Sequence, residues 1–546
     1  MKLDPVAGAR AVGLKLDTLR RIVESGLLGP TMPDRLARAG IALWRFGPTP
    51  AAACVASAAR YPDQLAVIDE RGRLSYRELH ERTNALAHAL SDQGLGEGDN
   101  VALLCRNHRG FIEATVACSK LGANVLYLNT GFAGPQIAEV VKREDAAALI
   151  YDDEFAALIG DTGRRDQRFI AWRGDVDEDL PEPTLDDLIA VGDPDNVVAP
   201  AEQGRTTILT SGTTGTPKGA SRSVSGLDPV GALLSKIPFR ARCVTVNAPP
   251  MFHAWGFANF LIALAMSCTL VLRRKFDPEM TLEDVARHRA DALVMVPVML
   301  QRMLELDPGE LARYDTGSLH IIALSGSALP AQLVERGLEA FGDVLYNLYG
   351  STEVAWATIA TPEDLGAAPG TAGKPPRGTI IRLYDDDTNE VPRGESGRIF
   401  VGNEMLFEGY TGGGTKDMID GLMATGDVGH FDEGGRLFVD GRDDDMIVSG
   451  GENVFPAEIE ETIAGHPDVV EAAVIGVPDS KFGQRLKAFV VARDGAQVSE
   501  DAVKDHVRSS LARYKVPREV EILDELPRNA TGKVLKRELR EREQEQ

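Results

Sequence analysis

Residues 206–219 read TTILTSGTTGTPKG. The first five, Thr206 to Thr210, are β-branched or apolar, the pattern of a buried strand. The chemistry then changes abruptly. Ser211, Gly212, Thr213, Thr214 and Gly215 intersperse hydroxyls with glycines, and Lys218 follows Pro217. Such a loop leaves backbone N–H and side-chain O–H groups free to face phosphate oxygens, and the lysine adds positive charge. It is not a Walker A loop, which needs G-x-x-x-x-G-K-[ST]; here Gly219 follows the lysine.

On both sides of this stretch, strand and helix patterns alternate. LAVID (65–69), NVALLC (100–105) and NVLYLN (124–129) read as strands. Between them, 75–95 reads as an amphipathic helix with a Ser75 cap, and GFIEATVACSKLG (110–122) as a second helix. Downstream, CVTVNA (243–248), TLVL (269–272), ALVMVP (292–297) and HIIALSG (320–326) are buried-strand patterns. Alternation of this kind predicts an α/β fold with mostly parallel sheets. Between about 370 and 440, short strands with Gly, Pro and Asp turns predict a small, mostly antiparallel, barrel-like β unit. The last hundred residues read as a compact α+β module. The expected domains are a helical extension over 1–48, a large domain over 49–441 and a small one over 442–546.

The length, 546 residues, exceeds what one core holds, so several domains are expected. The net charge of −23 argues against nucleic acid, whose phosphates repel an acidic surface. Five cysteines, none in a C-x-x-C pair, read as buried reduced thiols, which fits a reducing, cytoplasmic setting. Lys15, Asp17, Arg20, Arg21 and Glu24 interrupt the apolar runs of the N-terminus, so no signal peptide is expected. The stretch Phe257–Leu272 contains Asn259 and Ser267 and falls short of the ~20 residues of a membrane span. A buried helix running into a buried strand accounts for it.

In the first 48 residues, Leu16, Leu19, Ile22, Val23 and Leu27 follow helical spacing until Gly26, Gly29 and Pro30 break it. Eight Lys/Arg against four Asp/Glu make this segment basic. A basic amphipathic helix suits an anionic membrane surface; docking on the chain's own domain is the commoner arrangement.

TSGTTGTPKG at 210–219 resembles the phosphate loop of the adenylate-forming superfamily, which includes acyl-CoA synthetases, adenylation domains and luciferases. Further motifs of that superfamily follow in order: PPMFHAWGF (249–257), SGSALP (325–330), YGSTE (349–353), TGD (425–427), GRDDD (441–445), SGGENVFPAEIE (449–460) and PRNATGK (527–533). The resemblance spans roughly 50–546. It implies that Thr210, Ser211, Gly212, Thr213, Thr214, Gly215 and Lys218 cradle the phosphates of ATP. Gly326, Ser327 and Ala328 would admit the adenine, with Tyr349 offering its ring and Gly350 and Ser351 beside it. Asp427 and Arg442 would clamp the ribose. Thr352 and Glu353 would serve catalysis, Glu353 as the Mg²⁺ ligand, since a hard cation prefers carboxylate oxygen.

Lys533 would bridge the substrate carboxylate and the α-phosphate, where two anions must meet and positive charge is needed. His253 would close over the same groups, and Trp255, Gly256 and Phe257 would line an acyl tunnel. Asp444 would be the hinge on which a mobile C-terminal domain turns. Ser449, Gly450, Gly451 and Glu452 would then line the pantetheine channel. The implied reaction is ping-pong: ATP and an acid give acyl-AMP and pyrophosphate, then CoA gives the thioester and AMP.

The apolar region around MFHAWGFANFLIALAM points to a medium- or long-chain fatty acid, with aryl or branched acids also open. Transfer to a carrier protein instead of CoA is one alternative. An inactive nucleotide-binding scaffold is another, opposed by the intact Lys533, Glu353, Asp427 and Arg442. The resemblance also raises a homodimer. Lys536 departs from the family pattern, standing where many relatives carry Arg.

Overall fold

The computed structural model describes residues 5–29, 31–174, 180–210, 218–221, 228–410, 414–449, 452–479, 483–493, 495–529 and 532–544. Two large sheets organise its first part. In one, the strands Thr206–Thr210, Asn124–Tyr127, Asn100–Leu104, Ala146–Asp152 and Arg168–Trp172 run parallel. Lys218–Ser221 and Gly409–Tyr410 add an antiparallel edge beside Thr206–Thr210. In the other, Leu345–Tyr349, Ile321–Ser325, Ala292–Met295, Val244–Asn247, Thr269–Val271 and Leu65–Asp69 run parallel, with an antiparallel strand at each edge.

The two sheets share one core. It joins Val67, Leu270 and Ala323 of one sheet to Val101, Tyr127 and Ile150 of the other through helix residues such as Leu86, Phe111 and Phe260. The helices start where the sequence signals them. Ser75 and Glu78 form a capping box ahead of Tyr76–Asp92, satisfying two otherwise unpaired N–H groups. The helix Ala254–Ala265 does run into the strand Thr269–Val271. Asn259, the polar residue inside that apolar run, donates to the Trp255 carbonyl at 2.9 Å.

One buried charge was invisible in the pattern. Lys120, on the helix Arg109–Leu121, is fully buried. Its ammonium donates to Thr83 Oγ1 (2.7 Å), Asn84 Oδ1 (2.6 Å) and the His80 carbonyl (3.1 Å). Burial pushes its pKa down to about 8. All five cysteines are buried and unbridged. Cys105 lies beside His108 and Asp152, but both His108 nitrogens are engaged. Nε2 faces Asp152 at 2.8 Å, and Nδ1 accepts from the Gly110 N–H at 3.0 Å, so the group caps a helix.

The antiparallel unit comprises Ile380–Tyr384, Gly397–Gly402, Leu422–Phe431, Met418–Ile419 and Leu437–Arg442. After a single turn over Asp443–Asp445, Ile447–Ser449 enters a separate five-stranded sheet. Val503 and Val507 of Glu500–Ser510, with Ile459 and Ile463 of Pro456–Ala464, fill its core.

The N-terminal segment forms two helices, α1 (Pro5–Glu24) and α2 (Pro33–Phe46). α1 docks on the helix Asp228–Leu234: Thr18, Ile22 and Ser25 are buried, and a Cβ on Gly231 would lie 2.7 Å from Thr18. Asp17 pairs with Arg21 and Arg377, and the Ala241 N–H donates to the Ser25 carbonyl at 2.8 Å. Of the apolar stripe in its sequence, Ile22 points inward while Leu16, Leu19 and Val23 are exposed. Among the described residues, no helix is long and apolar enough to cross a membrane.

Candidate active site

Thr210 pairs with Lys218 across an antiparallel hairpin, so the two ends of the glycine- and hydroxyl-rich stretch lie side by side. Ser211, Gly212, Thr213, Thr214 and Gly215 themselves lie outside the described residues, as do Gly450 and Gly451. The hairpin's second strand continues the site, because Tyr410 pairs with Ala220 beside it.

Tyr410 donates its hydroxyl to Glu353 Oε1 at 2.7 Å. Glu353 belongs to the turn after the strand Leu345–Tyr349. Gly350 is required there, since a Cβ would sit 2.2 Å from the Ala355 carbonyl oxygen. Ser351 Oγ accepts from the Glu353 and Val354 N–H groups at 3.3 and 3.4 Å, with Thr352 on the same turn. Burial alone would raise the Glu353 pKa. The hydrogen bonds from Tyr410 and Ser351 and the nearby Lys416 charge outweigh it and hold the carboxyl below its ordinary range. An ionised carboxylate with one oxygen held in place is a donor that suits Mg²⁺.

The strand carrying Tyr349 reaches the antiparallel unit. Tyr349 Oη donates to Asp427 Oδ2 at 2.5 Å and lies 3.3 Å from Thr425 Oγ1. The Asp427 N–H donates to the same Thr425 oxygen at 3.1 Å. Asp427 and Arg442 are cross-strand partners, with Nη1 3.7 Å from Oδ1. Gly426, at φ +86°, precedes Asp427 on the same strand; a Cβ there would lie 3.5 Å from both Arg442 Nη2 and Lys416 Nζ. Lys416, Gly426, Asp427 and Asp443 line a cavity of about 180 Å³. Tyr349 was expected to offer its ring; its hydroxyl also fixes Asp427.

His253 precedes the helix Ala254–Ala265. Among the described residues its Nε2 is buried without a hydrogen-bond partner, and burial pushes its pKa down to about 4, so the ring is neutral near pH 7. Two asparagines hold this loop. Asn107 Nδ2 donates to the Pro249 carbonyl at 2.8 Å and its Oδ1 accepts from the Met251 N–H at 2.8 Å. Asn247 Nδ2 donates to the Gly256 carbonyl at 3.1 Å. Gly256 allows the turn, since a Cβ would meet the Pro250 carbonyl oxygen at 2.4 Å.

Trp255 is half-buried, and its Nε1 donates to the Met295 carbonyl at 3.1 Å, at the end of a central strand. Phe257, the third residue expected on the tunnel wall, sits among aromatic rings. It is 5% exposed, with its ring 4.9 Å from Tyr127 and 5.7 Å from Phe260, so it packs in the core behind the helix.

Gly326, Ser327 and Ala328 are exposed at the end of the strand Ile321–Ser325, with Gly326 at φ +102°. The C-terminal loop arrives on the same side of that sheet. Gly532, at φ +78°, sits so close to Val298 that a Cβ would meet Cγ1 at 2.3 Å. Val298 lies in the first turn of the helix Pro297–Leu304, after the strand whose Met295 carbonyl receives Trp255. Asn529 braces the loop: its Oδ1 accepts from the Lys533 N–H, and its own N–H donates to the Lys533 carbonyl, both at 2.9 Å. Lys533 is thereby presented exposed. Lys536, the departure from the family pattern, pairs with Glu460 at 2.8 Å. Asp444 lies in the turn Asp443–Asp445, and Ser449 faces Glu452 across a hairpin.

Tyr410, Lys416 and Asn107 escaped the sequence reading. Each reaches its partner through tertiary structure, and only the buried-strand context of Asn107 gave any local sign.

Residues 54–411 match the AMP-binding enzyme family, and residues 458–533 match the AMP-binding enzyme C-terminal domain. The 2-succinylbenzoate–CoA ligase of Geobacillus kaustophilus (strain HTA426) is 35% identical, over 88% of this chain and 95% of that one. The fatty acid–[acyl-carrier-protein] ligase ScoC of Streptomyces coeruleorubidus is 31% identical, over 88% and 94%. Among solved structures, the anthranilate CoA ligase AuaEII in complex with anthranoyl-AMP superposes with a TM-score of 0.80 at 25% identity, covering 90% of this chain and 97% of that one. The order of the motifs, the architecture and these matches agree: the chain belongs to the AMP-binding enzyme family of adenylate-forming acyl-CoA ligases.

Proposed function

We propose that the chain couples Mg²⁺·ATP to an apolar carboxylic acid, releasing pyrophosphate, and passes the acyl group from acyl-AMP to CoA. The observation that carries this reading is the constellation Tyr410–Glu353 and Tyr349–Asp427–Arg442, built against the hairpin whose strands flank the glycine- and hydroxyl-rich stretch. Glu353 would hold the Mg²⁺ that accompanies ATP, and Asp427 with Arg442 would hold the ribose. Lys533 would set its ammonium between the acid and the α-phosphate, while His253 packs over them. The domain over 442–546 would turn at Asp444, bringing the hairpin of Ser449 and Glu452 to the pantetheine.

A medium- or long-chain fatty acid is the first reading of the substrate. It is supported by the apolar helix Ala254–Ala265 and by the likeness to a fatty acid ligase. A flat aromatic acid is the second, favoured by half-buried Trp255 and Trp356 on the same core and by the likeness to ligases for succinylbenzoate and anthranilate. The N-terminal segment would attach the enzyme peripherally to a membrane.

Pyrophosphate release across acids from acetate to palmitate, and from benzoate to cinnamate, with and without CoA, tests these assignments. Turnover that needs CoA identifies the acceptor, and the preferred acid decides between chain and ring. A single burst that CoA does not relieve would replace CoA by a carrier protein.

A further inference from the structure

α2 is built inside out. Its sequence, PDRLARAGIALWRF, places Leu36, Ala37, Gly40, Ile41, Leu43 and Trp44 on one arc of the helix. The opposite arc, Ala39, Ala42 and Phe46, is buried, with Phe46 packed against Ala51 and Ala52 of the helix Pro50–Arg60. The larger apolar arc therefore faces outward: Leu36 is 42% exposed, Ile41 52%, Leu43 53% and Trp44 85%. A surface helix ordinarily turns its wide apolar face to the core. A whole helix face of aliphatic and indole groups in water marks a contact surface.

The arginines of α2 hold it in this orientation. Arg35 Nη1 donates to the Arg60 carbonyl at 3.0 Å and Arg45 Nη2 to the Val197 carbonyl at 3.3 Å. Asp34, Arg38 and Arg45 form one border of the apolar arc, and Arg38 pairs with Asp34 at 2.9 Å.

We propose that the outward face of α2 is a docking surface for an anionic lipid bilayer, into which Trp44, Ile41 and Leu43 insert to headgroup depth. This deepens the peripheral attachment proposed above by centring it on α2, whose Trp44 is the most exposed large apolar side chain described in the N-terminal segment, with Leu16, Leu19 and Val23 of α1 exposed as well. Charge selects the occupant. Residues 1–48 carry eight basic and four acidic groups, a net +4, whereas residues 49–546 carry 51 basic and 78 acidic groups, a net −27. Fields fade within about 10 Å at physiological salt, so an anionic surface meeting α2 feels the basic end first and the acidic body points away. Shape agrees. A single 14-residue helix is about 21 Å long, and its convex apolar ridge bordered by arginines matches an interfacial helix lying in the headgroup plane. A second copy docking through the same face would set its own basic segment against this one.

The test is sedimentation of the full chain with vesicles of phosphatidylcholine containing one-third phosphatidylglycerol, and with phosphatidylcholine alone. The wild type should bind the anionic vesicles in a salt-sensitive manner, with a blue shift of tryptophan emission that Trp44→Phe removes. Trp44→Glu and Ile41→Glu, both at exposed positions, should each weaken binding about tenfold or more. Pyrophosphate release with a soluble acid should be unchanged in both. Absence of vesicle binding, or undiminished binding by both variants, overturns the proposal. A dimer in solution that Trp44→Glu splits would assign the face to a second copy and overturn it equally. Because sedimentation needs no turnover, failure of the ligase reading would leave this result standing on its own.

Discussion

Tyr410 Oη stands 2.7 Å from Glu353 Oε1 and donates to it, joining residues 57 positions apart. The bond ties the candidate Mg²⁺ ligand to the strand edge beside the phosphate-loop hairpin. It also opposes the burial that would otherwise raise the Glu353 pKa. Hydrogen bonds to charged groups contribute about 1.5–3 kcal/mol. Tyr410→Phe should therefore lower adenylation on the order of tenfold at neutral pH and raise the Mg²⁺ concentration needed for half-maximal rate. Since Tyr410 lowers the Glu353 pKa, its removal should move the acid limb of the pH–rate profile to higher pH. An unshifted limb in pyrophosphate-release assays would show that Tyr410 does not tune this carboxylate.

Lys533 rests on a loop braced by Asn529 and seated against Val298, beside the strand end where Trp255 is anchored. If its ammonium acts in the adenylating transition state, Lys533→Ala should cost about 10²–10³-fold in pyrophosphate release, the scale of a lost oxyanion donor. Thioester formation from preformed acyl-AMP should persist, because that step needs no attack on phosphorus. Single-turnover assays of the two half-reactions separate these outcomes. An equal fall in both would remove the assigned role.

Asn107 is a positioning residue 142 positions from the Pro249 carbonyl it holds. Asn107→Ala would leave that carbonyl and the Met251 N–H buried without partners, at about 1–3 kcal/mol each. Urea unfolding should show a loss of roughly 2–4 kcal/mol, and adenylation should fall through a lower kcat with little change in the KM for ATP. Asn107→Asp keeps the acceptor for Met251 but sets a buried carboxylate oxygen against the Pro249 and Asn247 carbonyls, so it should be at least as damaging as Ala. A variant as active and as stable as wild type would show that the clamp is idle.

Where candidate residues sit on neighbouring positions or on one hairpin, the sequence anticipated which of them come together. Glu353 follows Tyr349 within a single turn, and Asp427 meets Arg442 as a cross-strand pair, so ordered motifs were enough to find them. Tyr410, Lys416 and Asn107 escaped because their partners arrive through sheet edges and crossovers that spacing does not encode. Phe257 was assigned to a tunnel by proximity to His253. Its ring meets Tyr127, from a distant strand, and Phe260, and spacing alone does not encode that partner across the core. α2 shows the same limit: periodicity reveals an apolar arc but not which arc meets water, and here the small residues Ala39 and Ala42 face inward.

Lys120 provides a pH test of the core itself. Its pKa falls from an ordinary 10.5 to about 8 because burial penalises the ammonium. Between those values the unfolded chain binds more protons than the native one, so stability rises with pH across that window and is lost as pH falls through it. The shift corresponds to about 3 kcal/mol. Lys120→Met removes the titration while keeping most of the apolar stem. The advantage of wild type over Lys120→Met should then grow by up to about 3 kcal/mol between pH 7.5 and pH 10.5. Buried Tyr76 and Tyr127 also titrate at alkaline pH, but both chains contain them and they cancel in the difference. Chemical unfolding of the two proteins at matched pH values measures it. A constant difference would mean that the ring of oxygens from His80, Thr83 and Asn84 solvates the ammonium as well as water does.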